Sequence, residues 1–155
     1  MNPKIQSFYG DNEKDILEKT AKVLDNSDRS GFHLSGYNIE KFDVPYLWKR
    51  MLSHGITPPK IISAWDKKPW ELKFFDLAKF WSGGAWNSFT SMDTVGALMD
   101  IGSSKGNMKG SDVHDAYWNE HRMEEIKTYC EEDVRVTMSM AERFLGVLSQ
   151  VESNI

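Results

Sequence analysis

The amino-acid sequence predicts an α/β fold, in which short apolar strands alternate with amphipathic helices. Three observations carry this expectation. Residues 31–37 and 71–77 are short, partly aromatic runs of strand length. From residue 13 the apolar side chains Ile16, Leu17, Ala21, Val23 and Leu24 recur at helical spacing. Residues 123–148 extend one proline-free helical pattern across the carboxyl end. With 155 residues, 40% of them apolar, the chain can bury a core, and a single domain over residues 1–155 is expected.

Taken in order, residues 4–9 alternate apolar and polar side chains and stop at Gly10, which predicts a first short strand. Asp11 and Asn12 offer caps to the first helix, and Asn26 and Ser27 break it. Residues 31–37 predict a buried strand flanked by glycine. A second helix follows, with Pro45 in its first turn and Gly55 at its close, and Asp43 reads as its cap. Pro58 and Pro59 lead into residues 60–65, and residues 71–77 predict a strand ending in Asp76. Ser91 caps a helix over 92–99, and residues 101–112 read as a loop rich in Gly, Ser, Lys and Asn.

Composition excludes several classes. Six Trp, eight Phe and five Tyr exclude a disordered chain. Cys130 is the only cysteine, so neither an internal disulfide framework nor a multi-cysteine zinc site is open to it, and His33, His54, His114 and His121 lack zinc-site spacing. This fits a reducing compartment, with the cytoplasm as the expected location. There is no signal-peptide pattern and no stretch long enough to span a bilayer, so no membrane partner is expected. The formal charge of −4 argues against a broad basic nucleic-acid surface, but it is compatible with a carboxylate-rich site that meets phosphate through divalent metal.

The last helix holds the most informative carboxylate. Ile126, Cys130, Thr137, Ala141, Phe144 and Leu148 follow core-facing spacing, and Asp133 falls on the same stripe with Tyr129 one turn before it. Burying an unpaired charge costs several kcal/mol, so a core-facing Asp calls for a cation, a metal or strong donors. The plainer alternative makes Asp133 a rim residue bonded to a lysine and Tyr129 an ordinary half-buried tyrosine. Asp43 has its own plain reading as a helix cap.

The conjunction points further. Gly36-Tyr37-Asn38-Ile39-Glu40-Lys41-Phe42-Asp43-Val44-Pro45-Tyr46-Leu47 resembles the second exonuclease motif of the proofreading domain of family B DNA polymerases. Tyr129-Cys130-Glu131-Glu132-Asp133-Val134 resembles the third motif of the same group, the tyrosine-bearing branch of the DEDD exonucleases. Ser91-Met92-Asp93, Lys109-Gly110-Ser111 and Tyr117-Trp118 follow the order seen in bacterial polymerase-like exonucleases.

The resemblance implies a ribonuclease H-like mixed sheet flanked by helices, here without its first strands, and metal-dependent removal of nucleotides from the 3′ end of single-stranded DNA or RNA. It implies two ions of Mg²⁺ or Mn²⁺, with Asp133 as a direct ligand, Asp43 serving the metal pair and Tyr129 orienting the attacking water. Asn38 and Phe42 would contact the terminal nucleotide, their plain readings being a turn asparagine and a core phenylalanine.

The same resemblance calls for an Asp-x-Glu pair on a first strand. The nearest match, Asp11-Asn12-Glu13, reads instead as a capping segment at a helix entry. The expectation is therefore an amino-terminally truncated domain, weak or inactive alone, with a second chain or an upstream segment supplying the missing strand. A non-catalytic nucleic-acid-binding or assembly module on the same fold is the alternative. Residues 102–110, with Lys105 and Lys109, could meet a phosphate or be a solvated loop. Trp65, Trp70, Trp81 and Trp86 with Lys67 and Lys68 could form a stacking and phosphate patch, or pack in the core.

Overall fold

The computed structural model describes residues 4–85, 89–101 and 108–152. Trp86 and Lys105 lie outside the described residues. The chain divides into two compact units, Phe8–Trp86 and Met1–Ser7 with Asn87–Ile155.

In the first unit, α1 spans Glu13–Arg29, and the Asn12 side chain accepts the Asp15 N–H at 3.2 Å, which satisfies one of the donors a helix start leaves open. Strand β1 is Leu34–Gly36, α2 is Asp43–Ser53, and a 3-10 turn forms at Lys60–Ile62. A second 3-10 turn, Pro69–Glu71, precedes β2 at Phe74–Asp76 and the short α3 at Leu77–Trp81. The two strands run parallel, with Leu34 opposite Phe74 and Gly36 opposite Asp76. Between them the chain returns through α2, as parallel strands require a crossover. Leu17, Ile39, Val44, Met51, Ile61 and Ile62 form the core of this unit. Gly36 is required by that packing: a Cβ there would stand 3.1 Å from the Cβ of Ile39.

In the second unit, α4 spans Met92–Leu98, capped by the Ser91 hydroxyl, which accepts the Thr94 N–H at 3.2 Å. A 3-10 turn at Gly110–Asp112 enters α5, Val113–Trp118, and α6 runs from Met123 to Glu152. Val95, Met108, Ala116, Met140 and Phe144 are buried.

Four expectations change. Residues 4–9 form no strand; Ser7 is held instead by a side-chain bond from its hydroxyl to Glu131 Oε1 at 2.6 Å. The strand predicted over 31–37 shortens to three residues and is not buried, since Phe32 is exposed and Ser35 faces solvent. Among the described residues the sheet has two parallel strands rather than a mixed set, and helix predominates. Cys130 is exposed. The inward stripe of α6 instead passes through half-buried Ile126, Tyr129, Asp133 and Thr137 to buried Met140 and Phe144, a 3-and-4 spacing that turns position 130 to solvent.

Candidate active site

Each unit carries part of the expected set. In the first, the expected residues follow the carboxyl end of β1, the end at which parallel α/β sheets commonly bind ligands. Asn38 turns the chain with φ of 61°, in the left-handed region that Asn tolerates better than most side chains. Its carbonyl accepts the N–H groups of Lys41 and Phe42 at 3.3 and 3.1 Å. This establishes the turn role, while the side chain is left to whatever else it does.

Phe42, not Asp43, holds the cap position of α2, with a helical backbone and no side-chain capping bond. Asp43 is the first helical residue and its carboxylate accepts its own backbone N–H. A side chain inside the helix cannot reach the N2 and N3 donors as a true cap does, so capping does not account for this carboxylate. Phe42 is no core residue either: it is 65% exposed and stacks on Tyr46, ring centroids 6.2 Å apart and planes 8° apart.

Although Asp43 as a whole reaches solvent, protein crowded around its carboxyl displaces water and pushes its pKa up. Its own N–H opposes that rise, and the negative charge of Asp76 adds to it. Asp76 is buried at the end of β2 and organises the turn. Its Oδ1 accepts the N–H groups of Asn38, Ala78 and Lys79 at 3.1, 3.0 and 3.2 Å, and Oδ2 accepts that of Glu40 at 3.1 Å. One carboxylate thus ties the chain after β1 to the start of α3, and places Asn38 and Asp43 beside the strand ends.

In the second unit, Tyr129 and Asp133 share the inward stripe of α6 one turn apart, near enough for the Asp133 charge to act on the phenol. Burial, then the Asp133 charge, push the tyrosine's ionisation above its ordinary value, with Cys130 and Asp93 adding to the rise. The phenol therefore keeps its proton. Asp93, in the first turn of α4, joins this acidic neighbourhood because α4 packs on α6, where the Thr137 hydroxyl donates to Met92 Sδ at 3.4 Å. Gly110 lies close by: a Cβ built on it would stand 3.8 Å from the Tyr129 hydroxyl.

Asp76, Asp93 and Gly110 were missed as site residues. A signal existed for two of them, since Asp76 ends an apolar run directly before a helix and Asp93 follows the Ser91 cap. The segment Asp11-Asn12-Glu13 is structural, as its sequence suggests. Asn12 caps α1, while Glu13 takes both forks of the Arg50 guanidinium, with Nε to Oε1 at 2.6 Å, and bonds His54 Nε2 at 2.8 Å. These partners, Arg50 first, lower the Glu13 pKa to about 2.

The donors available are carboxylate and phenol oxygens, the chemistry that Mg²⁺ and Mn²⁺ prefer. Among the described residues, no group of three or more His, Cys, Asp or Glu stands close enough to hold a metal ion. No helix among them is long and apolar enough to cross a membrane.

These features define an α/β protein whose candidate site is built from carboxylates and a tyrosine. Residues 3–154 match the family described as a predicted 3′-5′ exonuclease related to the exonuclease domain of PolB, and the chain belongs to that family. No curated protein and no solved structure matches it.

Proposed function

We propose that the protein hydrolyses phosphodiester bonds at the 3′ ends of nucleic acids, on a ribonuclease H-like fold. The carrying observation is the juxtaposition of Tyr129 and Asp133 on the inward face of α6, within a family match that spans 152 residues, 3 to 154. The parallel β1–α2–β2 unit, with Asn38 and Asp43 at the strand ends, supports the same reading.

Asp133 and Asp43 would hold divalent metal, because both offer ionisable oxygen to a hard cation. When bound, a metal pair supplies charge stabilisation to the attacking and leaving oxygens. Tyr129 would orient the attacking water through its retained proton. Asn38 would donate to or accept from the terminal nucleotide, and Phe42, already exposed and stacked on Tyr46, would offer a face to its base.

A second reading, a non-catalytic nucleic-acid-binding or assembly module, is favoured by one observation. Glu13 of the nearest Asp-x-Glu match is committed to Arg50 and His54 and so does not serve a metal. We therefore expect slow turnover from this chain alone.

The test is shortening of 5′-labelled single-stranded DNA and RNA with Mg²⁺ or Mn²⁺. Expected are stepwise loss from the 3′ end, abolition by chelator, and a drop of about 100-fold or more in Asp133→Ala, on the scale set by removing a group from a charge-stabilising site. Absence of shortening with either metal, or shortening unchanged in both Asp133→Ala and Asp43→Ala, would leave only the module reading. Turnover above about 1 s⁻¹, an ordinary enzyme rate, would overturn the expected weakness.

A further inference from the structure

Trp65 and Trp70 are each 77% exposed, although tryptophan has more apolar area to bury than any other side chain. They sit on a surface strap whose ends are anchored: Ile61 and Ile62 are buried before it, and Phe74 packs on the same core after it. Local bonds give the strap its shape. Lys67 N–H bonds the Ala64 carbonyl at 3.3 Å, and the Glu71 carboxylate accepts the Lys68 N–H at 2.8 Å, closing the Pro69–Glu71 turn that presents Trp70.

Lysines are interleaved with the rings. The Lys68 ammonium stands 5.3 Å from the Trp70 ring centre, and Lys67 Nζ donates to the Lys60 carbonyl at 2.8 Å, leaving further donors on the same ammonium. Lys60, Lys67 and Lys73 all stand near enough to Asp28 to help lower its carboxyl pKa, the Lys73 bond foremost. Of the carboxylates here, Asp28 is ion-paired with Lys73 at 2.5 Å and Glu71 is committed to the Lys68 backbone; Asp66 is the third.

We propose that Trp65 and Trp70, with Lys60, Lys67 and Lys68, form a surface that binds single-stranded nucleic acid without metal. Exposed indole faces stack on any base, and ammonium groups spaced between them meet the phosphates. Charge complementarity selects this occupant: in a chain of net charge −4, lysines gather where the two most exposed tryptophans among the described residues are. The inference goes beyond hydrolysis, since it needs neither metal nor Asp133. Such a surface would hold the strand between successive cuts.

The test is fluorescence anisotropy of a labelled thymidine 20-mer titrated with the full chain in chelator. Binding is expected, weakened about fivefold or more by either Trp65→Ala or Trp70→Ala and largely restored by Phe at the same position. Lys67→Ala and Lys68→Ala are each expected to flatten the salt dependence by about 0.7 in log–log slope. Circular dichroism of each variant guards against unfolding.

No binding below about 100 μM, the weak end of typical non-specific affinities, would overturn the proposal. So would indifference to both tryptophan substitutions, or binding only to anionic vesicles or to a second copy of the chain. Retained binding with no hydrolysis would sink the hydrolytic reading alone; hydrolysis with no tryptophan-dependent binding in chelator would sink this one alone.

Discussion

Two aspartates of the first unit behave oppositely. Asp76 is 7% exposed and accepts four backbone N–H groups, so its removal leaves four part-buried donors without it. Asp76→Ala should cost about 3 kcal/mol in urea unfolding, the range for breaking a buried, hydrogen-bonded charge. Asp43 carries a carboxyl pushed above its ordinary value of 3.8. Its protonated form is favoured in the folded chain, so that increment of stability is present below the unfolded pKa and lost as pH rises through the folded one. Asp43→Asn should therefore stabilise the fold slightly at pH 7, by no more than about 0.5 kcal/mol in urea unfolding for so exposed a position, with the gain vanishing near pH 3. The same variant should lower 3′ trimming. A carboxylate that weakens the fold and strengthens the reaction fits a functional role better than a structural one.

At the scale of elements, α1 and α2 are joined by Glu13 with Arg50 and His54, a link between the start of one helix and the end of the other. Glu13 titrates at about 2, below its ordinary 4.5. A lowered carboxylate stabilises the fold above its unfolded pKa, and that stability is lost as pH falls from about 4.5 to about 2. Glu13 and Arg50 are each more than a third exposed, which screens the pair, so Glu13→Gln should cost only about 1 kcal/mol at pH 7. Acid titrations of the two proteins should converge near pH 2. Helix α6 shows how far an element can be read in advance. Its length and the inward place of Asp133 were legible from apolar spacing, but Cys130 was misplaced because a stripe read from sequence leaves the rotation uncertain by one position.

For the molecule as a whole, two buried methionines mark the two cores. Met51 and Met140 are each fully buried, in the Phe8–Trp86 unit and in the other unit respectively. Truncation of such a side chain to alanine costs about 2–5 kcal/mol. Hydrogen exchange should show Met51→Ala lowering amide protection in β1, β2 and α1, and Met140→Ala lowering it in α4 and α6. Protection unchanged in those elements would show that the assigned cores are wrong. Net charge belongs to this scale too. At −4 the chain as a whole repels polyanions, so any nucleic-acid binding has to come from local features, such as the proposed metal site or the proposed tryptophan–lysine strap.

By itself the sequence determined α1, α2, α4 and α6, the family, and the placing of Tyr129 and Asp133 on one face of α6. Helical spacing, Ser91 and Asn12 as caps, and two ordered motifs are local properties of the chain, carried by neighbours within a turn or two. Tertiary structure alone decided the rest. Whether residues 4–9 pair as a strand depends on a distant edge, and there Ser7 found Glu131 instead. Asp76 became the organiser of the first unit only because parallel pairing set it opposite Gly36, within reach of the donors after β1. Trp65 and Trp70 could equally have packed inward; their exposure follows from Ile61, Ile62 and Phe74 filling the core on either side of the strap. Burial and long-range hydrogen bonds are decided by which surfaces meet, and that information is distributed over the whole chain.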